Sequence, residues 1–587
     1  MRCKSISEFI MCFMLSLFSL TAFAQIKITG TASDAETGEP LSFITIQIKG
    51  TTAGTTSDMD GNYSIEVPNR DAILVYSYIG YRSQEIKVGN QTHINVRLSE
   101  DVETLDEVVV VGYGVQNKRD VTGSIAKVGS EELMSVPTSS FDAALQGRAA
   151  GVQVTQTSGL AGSGAAIRVR GIASITAGGD PLIVVDGIPI MQNAGDRVGA
   201  AQDNPMSSIN ANDIESIDIL KDASATAIYG SRGANGVVLI TTKRGKGGKV
   251  QIDAKVETTY NTRTITPDLI DGYTYASMMN EARTTRNQEP FFPEDKLYIL
   301  RNGLDQDLYP NVDWMDVLLK KGAPTYRATI NMNGGGSLAR YYVSASYVDE
   351  GGMYKVDKGL KDYRRWNYRL NVDMDITKTT LLKVGVSGSL DKKNEPGMSS
   401  NIWASAMNYN PVSVPIMYSN GYTPAFGSDD EQINPWTIAT QTGYQETWNN
   451  KLQTNITLEQ DFSFITKGLK FIGRYGFDTN NYQWINRKKI PELWRAEQNR
   501  ASDGSLVMRK VRDEQLMSQE ANSTGERKEY LEAELHYDRT FGNHMVGAVM
   551  KYTQDKTINA SVKKEDDIMQ GIDRRHQGLS GRFTYGW

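Results

Sequence analysis

The residues able to do chemistry are few, and most fail on spacing. The four histidines, His93, His536, His544 and His576, are scattered along the chain. The sequence has no His-Glu-x-x-His and no Gly-x-Ser-x-Gly, so it offers neither a zinc-hydrolase helix nor a nucleophile elbow. Asp58, Asp60 and Asn62 invite a calcium reading. A helix-loop-helix calcium site wants glycine sixth and an acid twelfth, whereas here Gly61 is fourth and Asn69 twelfth; a hairpin turn is the better reading. Gly159, Gly162 and Gly164 could cradle a phosphate, but the Lys-Ser/Thr ending and the helix that should follow are missing, which leaves a tight turn. No enzymatic activity, cofactor or metal is expected. The one stretch with a distinct recognition chemistry is Asp106, Glu107, Val108, Val109, Val110, Val111, Gly112, Tyr113, Gly114. Four β-branched residues in a row favour a strand. The sequence around them offers no obvious partner strand. An extended segment of this kind can add to the edge of another protein's sheet through main-chain hydrogen bonds.

The surrounding elements must position that segment. The chain has 587 residues and a net charge of -6, which gives no basic footprint for nucleic acid. At its start, Arg2 and Lys4 precede an apolar run from Phe9 to Leu20 and the small-x-small triplet Ala22-Phe23-Ala24. This is the pattern of a signal peptide over residues 1–24; the run is shorter than the about 20 residues a spanning helix needs. Both cysteines, Cys3 and Cys12, fall inside it, so the mature chain is expected to need no disulfide. Residues 25–99 carry short β-rich runs at Ile26–Thr31, Phe43–Ile48, Tyr63–Val67, Ile73–Tyr78, Gln84–Val88 and Ile94–Leu98, a small β-sandwich. Residues 100–122 are a linker. From 123 to 246 strand-like runs alternate with short helical pieces, one of them capped by Asp222 and stopped by Gly230, as in a small α/β domain.

From residue 247 to 587 the texture is repeated alternation. Tyr368, Leu370, Val372 and Met374 share one face; Arg369, Asn371, Asp373 and Asp375 share the other. Short turns near Gly334–Ala339, Ile376–Thr379, Phe462–Gly468 and Arg539–Asn543 alternate with long segments at Asn261–Pro324, Asp391–Asn449 and Asn480–Glu526. Short turn, long loop is the parity of an outer-membrane β-barrel.

The stretches SSFDAALQGRAAGVQVTQTSG, IRVRGIASITAGGDPLIVVDGIPI and NPMSSINANDIESIDILKDASATAIYGSRGANGVVLITTKRG resemble the plug of the SusC/RagA type of TonB-dependent outer-membrane transporter, almost without a gap from Gly123 to Gly245. The sandwich resembles the carboxypeptidase-regulatory-like domain that precedes this plug in many members. Asp106 to Gly114 stands where the family keeps its TonB box. The resemblance implies a mainly β protein: an N-terminal β-sandwich, a small α/β plug and an antiparallel transmembrane β-barrel. It implies import of a large nutrient, a glycan or oligosaccharide, across the outer membrane, with the N-terminal domains in the periplasm. The partners implied are TonB with its ExbB/ExbD complex, a SusD-like surface lipoprotein, outer-membrane lipid and the glycan itself. A ligand-sensing, signal-transducing receptor is the alternative. About ten strands are counted, against the roughly 22 that close a large plugged barrel. The sequence therefore predicts a chain truncated within the barrel. It nominates no substrate-binding residue.

Overall fold

A computed structural model describes residues 26–587, apart from 36–39, 42, 52, 79–80, 82, 100–107, 111–114, 118–124, 136–140, 157, 172–178, 191–205, 207–208, 223–225, 356–362, 399–401, 427–431 and 560–571. The expected leader, 1–24, lies outside the described residues, as do Asp106, Glu107 and Val111 to Gly114 of the nonapeptide. The chain divides into two units, 1–109 with 115–122, and 110–114 with 123–587.

The first unit holds two small sheets. Strands β1 (Ile26–Asp34), β4 (Asn62–Val67) and β7 (Val96–Leu98) form one, in the order β4-β1-β7; β2 (Thr45–Ile48), β3 (Gly54–Thr56), β5 (Ile73–Ser77) and β6 (Gln84–Lys87) form the other, in the order β3-β2-β5-β6. Burial alternates strictly along β4, so that Tyr63, Ile65 and Val67 point inward. They meet Ile28, Ile44, Ile46, Leu74 and Tyr76, all fully buried, in one core. Asp58 Oδ1 accepts from the amides of Asp60 and Asn62, which fixes the 58–62 stretch as a turn. Strand β3 is hidden in the sequence because it is three residues long and begins within Ala53-Gly54, a pair that reads as punctuation. Val108–Val110 (β8) and Val115–Asn117 (β9) form a separate two-stranded sheet.

The second unit begins with a five-stranded sheet in the order β10-β15-β16-β13-β14, made of Ile125–Gly129, Ile214–Leu220, Val237–Thr242, Leu182–Val185 and Ile188–Pro189. Its inner strands bury nearly every residue: Leu182–Val185 is buried throughout, as is most of Val237–Thr242. That continuous apolar run is what covering both faces demands. A hairpin of β11 (Val152–Gln156) and β12 (Ala165–Val169) packs alongside. Gly162 turns with φ +77 and the chain then enters β12, so the glycine triplet opens a strand and not a phosphate-binding helix. The short helical piece expected after Asp222 is a 3-10 turn over Ala227–Gly233, interrupted at Gly230 with φ +62.

Around this domain runs one antiparallel sheet of ten strands: β17 (Gly248–Thr262), β18 (Gly322–Gly335), β19 (Ala339–Glu350), β20 (Tyr363–Thr377), β21 (Thr380–Pro396), β24 (Gly443–Asp461), β25 (Leu469–Ile490), β28 (Gln515–Phe541), β29 (His544–Asn559) and β30 (Arg574–Gly586). Each pairs with the next, four of the pairs through the short turns the sequence marked. The strands reach further into the expected long loops than the alternation suggested; β25 and β28 stay paired from Leu469 to Ile490. Past the apolar band the ladder continues with mostly polar residues on both faces, where hydropathy gives little signal. The long connections are also not open loops. Helices lie at Gly272–Thr284 and Glu294–Asn302, and those at Trp314–Leu318, Ile402–Asn408 and Pro435–Gln441, with the short strands β22 (Ala425–Phe426), β23 (Gln432–Ile433), β26 (Leu493–Arg500) and β27 (Leu506–Arg512), share a core of Trp314, Ile402, Ile438 and Leu493. No helix among the described residues is long and apolar enough to cross a membrane, which says nothing about strands.

Candidate functional site: the plug–wall interface

The ten-stranded sheet reverses the usual soluble pattern. On β20 the polar members are the hidden ones: Arg369 is 4% exposed and Asn371 1%, while Tyr368 and Leu370 are 47% and 41% exposed. Period-two alternation puts each set on one face. The polar face points at the five-stranded domain, the plug, and the apolar face points away. Leu382, Leu458, Ile456, Tyr475 and Leu531 continue that outward band on the neighbouring strands by register.

Three groups of polar contacts hold the plug. The first joins the start of β15 and the end of β16 to β19 and β20. Asp213, 3% exposed, accepts from the Tyr342 hydroxyl at 3.0 Å and faces Arg369 at 3.6 Å. Asn371 Nδ2 donates to Thr242 Oγ1 and to the Lys243 carbonyl, and Arg244 pairs with Asp373 at 2.6 Å. Within the plug, Asp186 accepts from the Thr242 amide and hydroxyl, which fixes the strand end that makes these contacts.

The second group joins the 187–190 turn and the 3-10 turn to β25, β28 and β29. Lys528 Nζ donates to the Pro189 carbonyl at 2.6 Å. Arg232 pairs with Asp555 at 2.6 Å. Beneath them Arg474 and Lys551 both pair with Glu532 and Glu534, two carboxylates almost wholly buried, and Glu534 also contacts His536 Nε2 at 3.0 Å. Tyr229 of the plug lies with its ring 5.5 Å from Lys551 Nζ. Gly187 has φ +86, a conformation that favours glycine, and the Arg474 side chain lies against it, with Nε 2.9 Å from where a Cβ would stand.

The third contact is at the far end. The Gly162 amide donates to Glu350 Oε2 at 3.1 Å, and the glycine lies against the Tyr363 ring with no room for a side chain. The Tyr363 hydroxyl donates to Asp391 at 2.8 Å, and Arg365 Nε donates to the same carboxylate at 2.6 Å.

Such contacts can be released to water at modest cost. Exposing an apolar interface costs about 25 cal/mol per Å². Polar contacts exchange protein partners for water at a net about 0.5–1.5 kcal/mol each. Sequence reading found the polar face of the wall but not its partners. Asp213, Arg232 and Arg244 lie inside the quoted plug stretch, but the sequence does not say which wall residues they meet; only the structure pairs them.

The nonapeptide is seen in part. Val108–Val110 is a strand, and the sheet it joins is completed by Val115–Asn117, seven residues on. The sequence offered this strand no partner; the structure pairs it locally. Among the described residues no group of three or more His, Cys, Asp or Glu is placed to hold a metal.

Comparison with known proteins agrees with this architecture. Residues 28–110 match the CarboxypepD_reg-like domain and residues 117–237 the TonB-dependent Receptor Plug Domain. The chain is 38% identical over 480 residues to TonB-dependent receptor P26 of Formosa agariphila, which covers 81% of this chain and 43% of that protein. It is 38% identical over 357 residues to TonB-dependent receptor SusC of Bacteroides thetaiotaomicron, covering 60% of this chain and 33% of SusC. The chain thus spans less than half the length of the curated relatives it matches. In fold it resembles the RagAB peptide importer in its open-open state, with a TM-score of 0.57 at 22% identity over 82% of this chain and 55% of that one. Over the sandwich, the plug and the polar-lined wall, the chain is thus similar to TonB-dependent receptors, SusC among them, and it shares the fold of the RagAB importer.

Proposed function

We propose that the protein imports a large polar nutrient, a glycan or oligosaccharide, across the outer membrane, with the sandwich and the linker in the periplasm and residues 1–24 removed on export. The observation that supports this is the plug's attachment to the wall through polar groups, which leaves a lining that stays wettable when the plug shifts. A membrane without its own ATP or ion gradient needs energy from elsewhere. Residues Asp106 to Gly114 are positioned in the chain to deliver it: a periplasmic TonB protein, driven by ExbB/ExbD, adds its own strand to Val108–Val111 and pulls. A SusD-like lipoprotein would close the outer side.

Among the described residues the ten-stranded sheet ends at β17 and β30, and an edge left open in lipid would leave backbone groups unmet. The transport-competent form is therefore one in which these edges meet further strands. The experiment is deletion of residues 106–114 in cells that take up a labelled oligosaccharide through this protein. Uptake should fall to background while surface binding persists. Undiminished uptake would overturn the energy-coupling reading.

A further inference from the structure

Four short turns line one end of the wall: 334–339 between β18 and β19, 376–379 between β20 and β21, 462–468 between β24 and β25, and 539–543 between β28 and β29. Their strands stand side by side in the sheet, so the turns follow one another along a single rim. The chain passes from the plug into the wall at the same end, where Gly248 of β17 stands opposite Gly335. A turn in water is built from small polar residues. Each of these turns instead presents a large apolar side chain: Leu338, Ile376, Phe464 with Ile465, and Phe541, from 47% exposed at Phe541 to 73% at Leu338. Single exposed apolar residues are ordinary. One at every turn of a rim makes a surface. On β28 that surface continues the outward apolar band, because Leu531, Leu535 and Phe541 share one face by alternation.

The charge of the rim is one-sided. Turns 376–379, 462–468 and 539–543 hold one basic residue each, Lys378, Lys467 and Arg539, and no acid; turn 334–339 is uncharged. The chain as a whole carries 63 Lys and Arg against 69 Asp and Glu, so the excess of cations is local. The charged groups flanking the turns do not cancel it. Arg340 is matched by Asp375 at 3.0 Å, and Glu459 lies between Lys383 and Lys470. Asp461 turns back on its own loop, where it accepts from the Ser463 amide at 2.7 Å. Asp538 falls on the plug-facing side of β28, opposite in alternation to Phe541. Lys378 and Lys467 are exposed, and among the described residues neither meets a carboxylate. Arg539 lies over the Phe541 ring, 4.7 Å from its centre. On β20 and β21 the first cations past the apolar band at the opposite end are matched: Arg364 faces Asp349 at 3.6 Å, and Lys392 meets Glu446 at 2.8 Å.

An exposed apolar side chain beside an unmatched cation suits the boundary of a bilayer. The apolar group enters the edge of the acyl region, and the cation stays with the phosphates. Charge then selects the head group. A zwitterionic lipid brings its own ammonium to each phosphate, whereas an anionic phospholipid leaves its phosphate to be met by the protein.

We infer that the rim of short turns is a docking surface for anionic phospholipid in the periplasmic leaflet, with Leu338, Ile376, Phe464 and Phe541 entering the acyl boundary and Lys378, Lys467 and Arg539 meeting the phosphates. This rests on the import reading above, which sets the short turns on the periplasmic side, and adds to it the lipid class they contact. The test incubates the purified full chain in detergent with equal amounts of phosphatidylglycerol and phosphatidylethanolamine, and native mass spectrometry counts the lipid that stays bound. The unmodified chain retains phosphatidylglycerol about fivefold or more over phosphatidylethanolamine, and salt raised to about 0.5 M removes that preference. The Lys378→Gln/Lys467→Gln/Arg539→Gln variant retains the two lipids alike. If that variant loses its sheet content by circular dichroism, Lys467→Gln alone serves, at an exposed turn position, and lowers the preference severalfold. Three outcomes overturn the docking surface: equal retention of the two lipids by the unmodified chain, a preference undiminished in the folded variant, or lipid A, offered as a third probe, retained in place of phosphatidylglycerol. None of these touches the energy-coupling reading, which the 106–114 deletion tests in cells with all four turns intact.

Discussion

At the level of single residues, the sandwich turns on two tyrosines. Tyr76 is fully buried and Tyr63 is 5% exposed; their hydroxyls meet at 2.6 Å, and Tyr63 donates onward to the Ile94 carbonyl at 2.7 Å. Tyr76 must then be the donor to Tyr63. The two deletions are not equivalent. Tyr76→Phe removes one donor and leaves Tyr63 bonded to Ile94, a cost of about 0.5–1.5 kcal/mol. Tyr63→Phe strands both the Tyr76 hydroxyl and the Ile94 carbonyl, a cost of about 1–3 kcal/mol for each group left unmet. Hydrogen exchange of the β5 amides in the full chain would rank them, and an equal effect would mean that the onward bond carries nothing. Burial, helped by the Tyr63 hydrogen bond, pushes the Tyr76 phenol well above its usual range. A folded-state value raised above the unfolded one gives a contribution that is whole below about pH 10 and is lost as pH rises beyond it. The sandwich should accordingly hold its protection to about pH 9 and lose it more steeply above pH 10 than Tyr76→Phe does.

Whole elements show how far the sequence could be read. The wall strands were legible because alternation over ten residues is a physical necessity for a sheet with one polar and one apolar face. The plug was legible through its motifs, and its buried strands through their continuous apolar runs. The layer on the long connections was not. Its helices are short, and Trp314–Leu318 has five residues, too few for a 3.6-residue period to emerge. Its core joins residues more than 170 positions apart, Trp314 with Leu493. Trp314 is fully buried and meets Tyr409 edge-on at 5.7 Å. Trp314→Ala should cost about 3–5 kcal/mol and collapse this layer, while the β24–β25 ladder stays protected in hydrogen exchange; loss of both together would show that layer and wall fold as one. The β26–β27 arm is tied to this layer more weakly. Arg500 grips Asp305 with two bonds, 2.8 Å and 2.6 Å, and reaches Asp307 at 3.1 Å. The Arg500 guanidinium holds the Asp305 carboxyl below its usual range. A lowered folded-state value gives a contribution present above the unfolded value, about pH 4, and lost as pH falls through the folded one. The pair is partly exposed, so about 1 kcal/mol or less is at stake. Acidification below about pH 4 and Arg500→Ala should each make the 500–506 tip more open to protease, and acid should add nothing further in the variant.

For the whole molecule the question is whether the plug leaves the wall as one body. The two larger anchors lie apart on the sheet: Arg244 and Asp213 against β19 and β20, and the 187–190 and 229–232 turns against β25, β28 and β29. Lys551 and Arg474 together neutralise Glu532 and Glu534 in a nearly water-free site. Lys551→Met keeps the length of the side chain and removes its charge, leaving buried carboxylate charge only half compensated, a cost of about 3–5 kcal/mol. Arg244→Ala breaks a pair that is less deeply buried and should cost about 1–3 kcal/mol. Each variant is expected to raise hydrogen exchange near its own anchor, in Val237–Thr242 for Arg244→Ala and in Ile188–Ile190 for Lys551→Met. If the plug can open in parts, the double variant adds the two effects to within about 0.5 kcal/mol, as distant independent sites do. If it leaves as a single body, either variant alone raises exchange throughout Leu182–Thr242, and the combined effect departs from the sum. The polar character of the anchors favours the first result: each group can be met by water separately, so nothing in the chemistry of the interface forces the anchors to let go together.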